Sequence, residues 1–158
     1  MLNLNIRSMK LAEALSLRKD LQKRIEQLKV RMNNNVKVQE GDEPDEQPKD
    51  LFAELDACLK QLEELIFRIN ATNMQTMSGT KTLTQMMAEK DVLTKRIETL
   101  RGVFDHASSK QDRYSRSEIK MVTTIDVKDL GRQIDHYSQQ LRKLDIEIQS
   151  LNFTTELI

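Results

Sequence analysis

Two stretches of this chain place apolar residues at alternating steps of three and four, and no other feature constrains its fold so strongly. From Leu83 the step visits Met86, Lys90, Leu93, Ile97, Leu100, Phe104 and Ala107, with Lys90 its one polar stop. From Val127 it visits Leu130, Ile134, Tyr137, Leu141, Leu144, Ile148 and Leu151, with none. A strand changes face at every residue, so this spacing makes a stripe only on an α-helix. Two earlier stretches read the same way: Ala14, Arg18, Leu21, Ile25, Leu28 and Met32, then Phe52, Leu55, Leu59, Leu62, Ile66 and Ile69. Each predicts a helix of about 25 residues, roughly 37 Å long at ~1.5 Å per residue.

Punctuation along the chain agrees. Ser8 suits the cap of the first helix and Pro48 the first turn of the second, where a missing N–H costs nothing. Thr82 with Gln85 forms a capping-box pattern before the third, and Asp126 with Asp129 places acceptors at the start of the fourth. The expected fold is therefore all-α: an antiparallel up-down-up-down four-helix bundle with coiled-coil-like seams, one domain over residues 1–158.

Of the three connections, the middle one, Asn73 to Lys81, is short, while the first and third are long enough to need a purpose. Val36 and Val38 alternate with polar residues, as do Ile119, Met121, Thr123 and Ile125. Residues 36–39 are expected to pair with part of 119–125 as a small β-ribbon at one end of the bundle. The acidic run Glu40, Asp42, Glu43, Asp45 and Glu46 would then face Lys110, Arg113, Arg116 and Lys120. Gly102 and Gly131 interrupt the third and fourth helices, either as surface glycines or as the walls of a groove that admits backbone.

Catalytic and metal chemistry find little support. His106 and His136 each follow an aspartate, but adjacent helical residues diverge by about 100° and cannot chelate one ion as i,i+3 or i,i+4 pairs do. Neither histidine has a Glu three residues before it, as a di-iron bundle requires. Ser78-Gly79-Thr80-Lys81-Thr82 lacks the earlier Gly, the Gly before Lys and the strand of a phosphate loop. Cys58 lies in an apolar helix with no His near it in sequence, as an inert buried thiol does. No catalytic residue, metal ligand or cofactor is assigned.

Two surfaces remain as candidates. The loop residues Arg113, Tyr114, Arg116 and Lys120 combine positive charge with one aromatic ring, the pattern of a contact to single-stranded nucleic acid. Against that stands a net charge of zero, from 25 Lys+Arg and 25 Asp+Glu, whereas nucleic-acid binders concentrate positive charge. The second candidate is a polar cluster, Asn70, Thr72 and Asn73 near the end of the second helix with Gln149, Asn152 and Thr154 near the end of the fourth. It reads either as end-capping or as a small-ligand or partner site.

Five blocks carry a family resemblance: MKLAEALSLRKDLQKRIEQL from Met9, VQEGDEP from Val38, LIFRINATN from Leu65, YSRSEIKMVTTIDV from Tyr114 and IQSLNFTTEL from Ile148. Together they resemble small bacterial proteins labelled septicolysin. The resemblance runs from Met9 nearly to the last residue and implies bacterial origin and an all-helical fold, with no reaction attached. Family members begin near MKLAEAL, so residues 1–8 are expected to be a disordered or misassigned extension. The label suggests membrane lysis; a chain with no Trp, no export signal and no run of ~20 apolar residues argues against it. The lone Cys suits a reducing compartment.

The expected function is that of a non-enzymatic structural or protein-interaction module of the bacterial cytoplasm. Self-association and an unidentified protein partner are expected, with no membrane. Nucleic-acid binding through residues 110–120 is the rival from another class, and membrane lysis a more remote one.

Overall fold

A computed structural model of the chain describes residues 9–109, 119 and 121–158. The fold is all-α, with four helices and a small antiparallel two-stranded sheet. Contacts divide the chain into two compact units, one drawn from Met1–Leu83 with Ser150–Ile158 and the other Thr84–Gln149.

The first unit is built on α1 (Leu11–Asn35) and α2 (Pro48–Gln75), which pack against each other. α1 opens where the Lys10 amide donates to Glu13 Oε2 at 2.7 Å, satisfying a donor that the helix itself leaves free. Ser8, the expected cap, lies outside the described residues. Ala14, Leu21, Leu28 and Asn35, seven residues apart, are all buried, with Leu11 ahead of them. Pro48 occupies the first turn of α2, as expected.

The buried line of α2 differs from expectation by one residue. It runs through Leu51, Cys58, Leu65 and Thr72, again at steps of seven, with Ile69 buried and Leu55 and Leu62 half-buried beside it. Phe52, Leu59 and Ile66, which the spacing also allowed, are exposed. Both lines are apolar and neighbours on the helix surface, so α2 alone does not choose between them. α1 has one apolar line, and the packing against it selects the α2 line that meets it.

The small sheet also lies elsewhere. β1 (Met77–Ser78) pairs with β2 (Lys81–Thr82) in the middle connection, with Met77 opposite Thr82 and Ser78 opposite Lys81. Gly79 takes the first of the two turn positions at φ 58°, a conformation that side chains resist and that two-residue hairpins demand. The expected ribbon between residues 36–39 and 119–125 is not formed. Val36 is the C-terminal cap of α1, residues 37–39 form no strand, and neither do the described residues of 119–125. The first long loop is ordered by its own contacts, including a turn in which the Asp42 amide donates to Gln39 O at 3.0 Å and Gly41 sits at φ 96°.

The second unit holds most of α3 (Leu83–Ser108) and α4 (Val127–Thr154). No residue of either predicted seam is exposed. Ile97, Leu130 and Ile134 form a buried cluster, with Leu93, Leu100, Phe104, Tyr137 and Leu141 packed on it. The α4 cap is the expected one: the Asp129 amide donates to Asp126 Oδ1 at 2.9 Å. Lys90, the polar stop of the α3 seam, is ion-paired with Asp145 on α4, and the Phe104 ring lies against Gly131. Lys90 and Phe104 are two heptads apart, as are Gly131 and Asp145, so the two contacts report one antiparallel register. The Arg96 guanidinium lies 4.9 Å from the Tyr137 ring centre, within cation–π range.

Gly102 faces open space, whereas a Cβ at Gly131 would stand 3.4 Å from Phe104 Cε2. Among the described residues nothing stands within 4 Å of where the Gly102 Cβ would be, so within them Gly102 carries only the helix-propensity cost of glycine. Gly102→Ala is expected to raise stability by about 1 kcal/mol, and Gly131→Ala by less because the Phe104 ring must give way. Denaturant midpoints of the two variants measure this; destabilisation by Gly102→Ala would mean that the position is filled.

Candidate interaction surfaces

One end of the α1–α2 pair is closed by charge. Arg31 engages Glu46 through both Nε, at 2.9 Å to Oε2, and Nη2 to Oε1, and reaches Glu54 Oε2 from Nη1 at 3.3 Å. Arg24 adds Nε and Nη2 to Glu54 Oε1 at 2.9 and 2.6 Å. Forked guanidinium–carboxylate pairs of this kind fix geometry as well as charge. The Arg31 hydrogen bond holds the Glu46 carboxyl below its usual range, and the Arg24 hydrogen bond does the same for Glu54. Asn35 ties the loop to the helix: its Nδ2 donates to Arg31 O and its Oδ1 accepts from the Glu46 amide, both at 2.9 Å. Glu46 was expected to face the basic third loop, and its partner is Arg31 in its own unit. The helix supplies a preorganised fork close by in sequence.

The other end of the pair is closed by the C-terminal segment. Lys10 and Glu156 form an antiparallel β-bridge, flanked by Leu11 N–H to Thr155 O at 2.9 Å and Leu157 N–H to Met9 O at 2.8 Å. Lys10 Nζ donates to Thr154 O at 3.1 Å and lies 3.2 Å from Glu156 Oε1. Leu157 is buried, as are Met9 and Leu11. Thr72, with no exposed surface, donates its hydroxyl to Arg68 O at 2.8 Å and accepts from the Ile158 amide at 3.1 Å. Arg68 Nε donates to the Ile158 main-chain oxygen at 2.5 Å.

The polar cluster inferred from sequence is thus only partly drawn together. Thr72 is filled by the chain's own tail, and Asn73 is buried beside it on α2, while Asn70 is exposed. Asn152 is half-buried, and Thr154 bonds back to Ser150 O at 2.9 Å while its carbonyl serves Lys10. Gln149 is exposed and belongs to the other unit. Arg68, Lys10 and Glu156, which make the clamp, had no signal in the spacing; Leu157 and Ile158 after the last polar residues were the only hint.

Arg113, Tyr114, Arg116 and Lys120 lie outside the described residues. Among the described residues no group of three or more His, Cys, Asp or Glu could hold a metal ion. His136 Nε2 lies 2.9 Å from the Gln140 amide nitrogen, four residues on. Cys58 is a free, buried thiol. Among the described residues no helix is long and apolar enough to cross a membrane.

A third surface was not singled out as a site by the sequence. Phe52, Leu59 and Ile66 are 49%, 45% and 38% exposed, one stripe along α2, and Phe67 and Met74 extend the exposed apolar surface around the helix. The usual reason for exposed apolar residues is chance scatter, but a contiguous patch marks a contact surface.

Thr72→Val removes the hydroxyl that joins α2 to the tail while keeping side-chain volume. It is expected to cost about 1 kcal/mol, the net worth of a typical internal hydrogen bond, and to speed amide exchange at Leu157 and Ile158. Unchanged exchange there would show that the tail is held without Thr72.

The chain is similar to a solved structure described as a functionally unknown conserved protein from Corynebacterium diphtheriae. The two are 39% identical, the match covers 96% of this chain and 100% of that one, and the TM-score is 0.87. No curated protein matches the chain. Residues 18–157 match the family described as Family of unknown function (DUF6847), and the chain belongs to that family.

Proposed function

We propose that this chain is a non-enzymatic structural or protein-interaction module of the bacterial cytoplasm that works through an exposed helical face. One observation carries the reading. α2 already buries a complete seam at Leu51, Cys58, Leu65 and Thr72, yet keeps a second apolar line, Phe52, Leu59 and Ile66, in solvent. Large apolar side chains repeated on one exposed face are the recurrent signature of helix-in-groove and helix-on-helix recognition. The free Cys58 thiol supports a reducing compartment. The septicolysin resemblance supports bacterial origin.

A photo-crosslinking amino acid at position 59 tests the reading in the native host. A discrete light-dependent protein adduct is expected from position 59, and none from position 22, which is exposed on α1. Adducts from neither position, or equally from both, would count against α2 as the working surface.

A further inference from the structure

We infer that residues 9–11, with Arg68 and Thr72 of α2, form a binding site for an extended peptide that presents one leucine, and that the chain's own tail, residues 155–158, fills this site in cis. The site lies wholly in the first unit and is separate from the exposed stripe of α2.

The tail is held as a sheet edge holds an added strand. Leu11 N–H and Arg68 Nε donate to the main-chain oxygens of Thr155 and Ile158, while the Leu157 and Ile158 amides donate to Met9 O and Thr72 Oγ1. These contacts take only the backbone and would serve any extended chain. Selection falls to one side chain: Leu157 is buried, whereas Glu156 and Ile158 on either side of it are exposed. Main-chain pairing for affinity, with a pocket for alternate side chains, is how strand addition recognises peptides.

The site has supports of its own. The Lys10 amide is held by Glu13 Oε2 and the Thr72 hydroxyl by Arg68 O, and α1 and α2 pack along Ala14, Leu21 and Leu28 and along Leu51, Cys58 and Leu65. None of these contacts involves the tail. A departing tail therefore withdraws one buried side chain and leaves the Leu11 amide, Met9 O and Thr72 Oγ1 open to another strand. Because it is tethered, the tail competes at an effective concentration on the order of millimolar. A peptide in trans meets the site only in the fraction of chains whose tail is out, which makes the tail an autoinhibitory segment.

The probe is a fluorescein-labelled peptide of residues 153–158, read by anisotropy against full chains. Leu157→Asp disables the chain's own tail and keeps the site. This chain is expected to bind the probe roughly tenfold or more tightly than the wild type does, as when a tail filling about nine sites in ten is removed. Adding Thr72→Val should weaken that binding severalfold, and a probe with Asp in place of its leucine should not bind. The wild-type chain gives a reading that needs no variant: excess unlabelled peptide should move its Leu157 and Ile158 amide resonances to free-tail positions while those of Leu21 and Leu28 stay. Binding to neither chain, binding indifferent to Thr72→Val or to the loss of the probe's leucine, or a wild-type tail that excess peptide does not move would each overturn the inference.

Discussion

Apolar residues repeated every seven positions are what the rest of this structure depends on. In α1 the line is Ala14, Leu21, Leu28 and Asn35; in α2 it is Leu51, Cys58, Leu65 and Thr72. A fully buried leucine contributes roughly 1.5–3 kcal/mol relative to an exposed one, so several such positions outweigh every surface ion pair in the molecule, each of which is worth about 0–1 kcal/mol. Three polar seam positions have defined partners. Asn35 anchors the first loop to Arg31 and Glu46, Thr72 receives the C-terminal segment, and Lys90 pairs with Asp145 across α3 and α4. The seam thus holds the helices, and its polar interruptions fix ends and register.

That division bears on function. Charge closes one end of the α1–α2 pair and main-chain pairing closes the other, so both ends are occupied by the chain's own residues. The ordinary burial logic then leaves α2's second apolar line without an internal role among the described residues of its own unit. A helix that needed only one partner would carry polar residues there. Relatedness to the conserved protein of Corynebacterium diphtheriae gives the fold a close solved counterpart without assigning either chain a role.

Legibility in the sequence followed how many elements each feature needed. The α3 and α4 seams could be read because nearly every stop is apolar; the lines beside the α4 seam are polar, and beside the α3 seam only Met87, Val92 and Val103 break the polar pattern. α2 was half legible: Leu51–Phe52, Cys58–Leu59 and Leu65–Ile66 are adjacent apolar or near-apolar pairs, and the choice within each pair belongs to α1. The hairpin at Gly79 is too short for alternation to show, and only its turn residues hinted at it. The small ribbon expected from Val36 and Val38 rested on alternation alone, which four residues cannot support against a nearby helix cap. The tail clamp joins residues far apart in sequence, Lys10 with Glu156 and Thr72 with Ile158, and no local pattern encodes such a pairing.

The seam of α2 is the central claim, and comparing two neighbouring truncations tests it most directly. Chemical denaturation of dilute Leu65→Ala and Ile66→Ala chains reads which line is buried. Leu65→Ala is expected to lose about 2–5 kcal/mol, as buried leucines do, and Ile66→Ala a small fraction of that. Equal losses, or a larger loss at Ile66, would contradict the account.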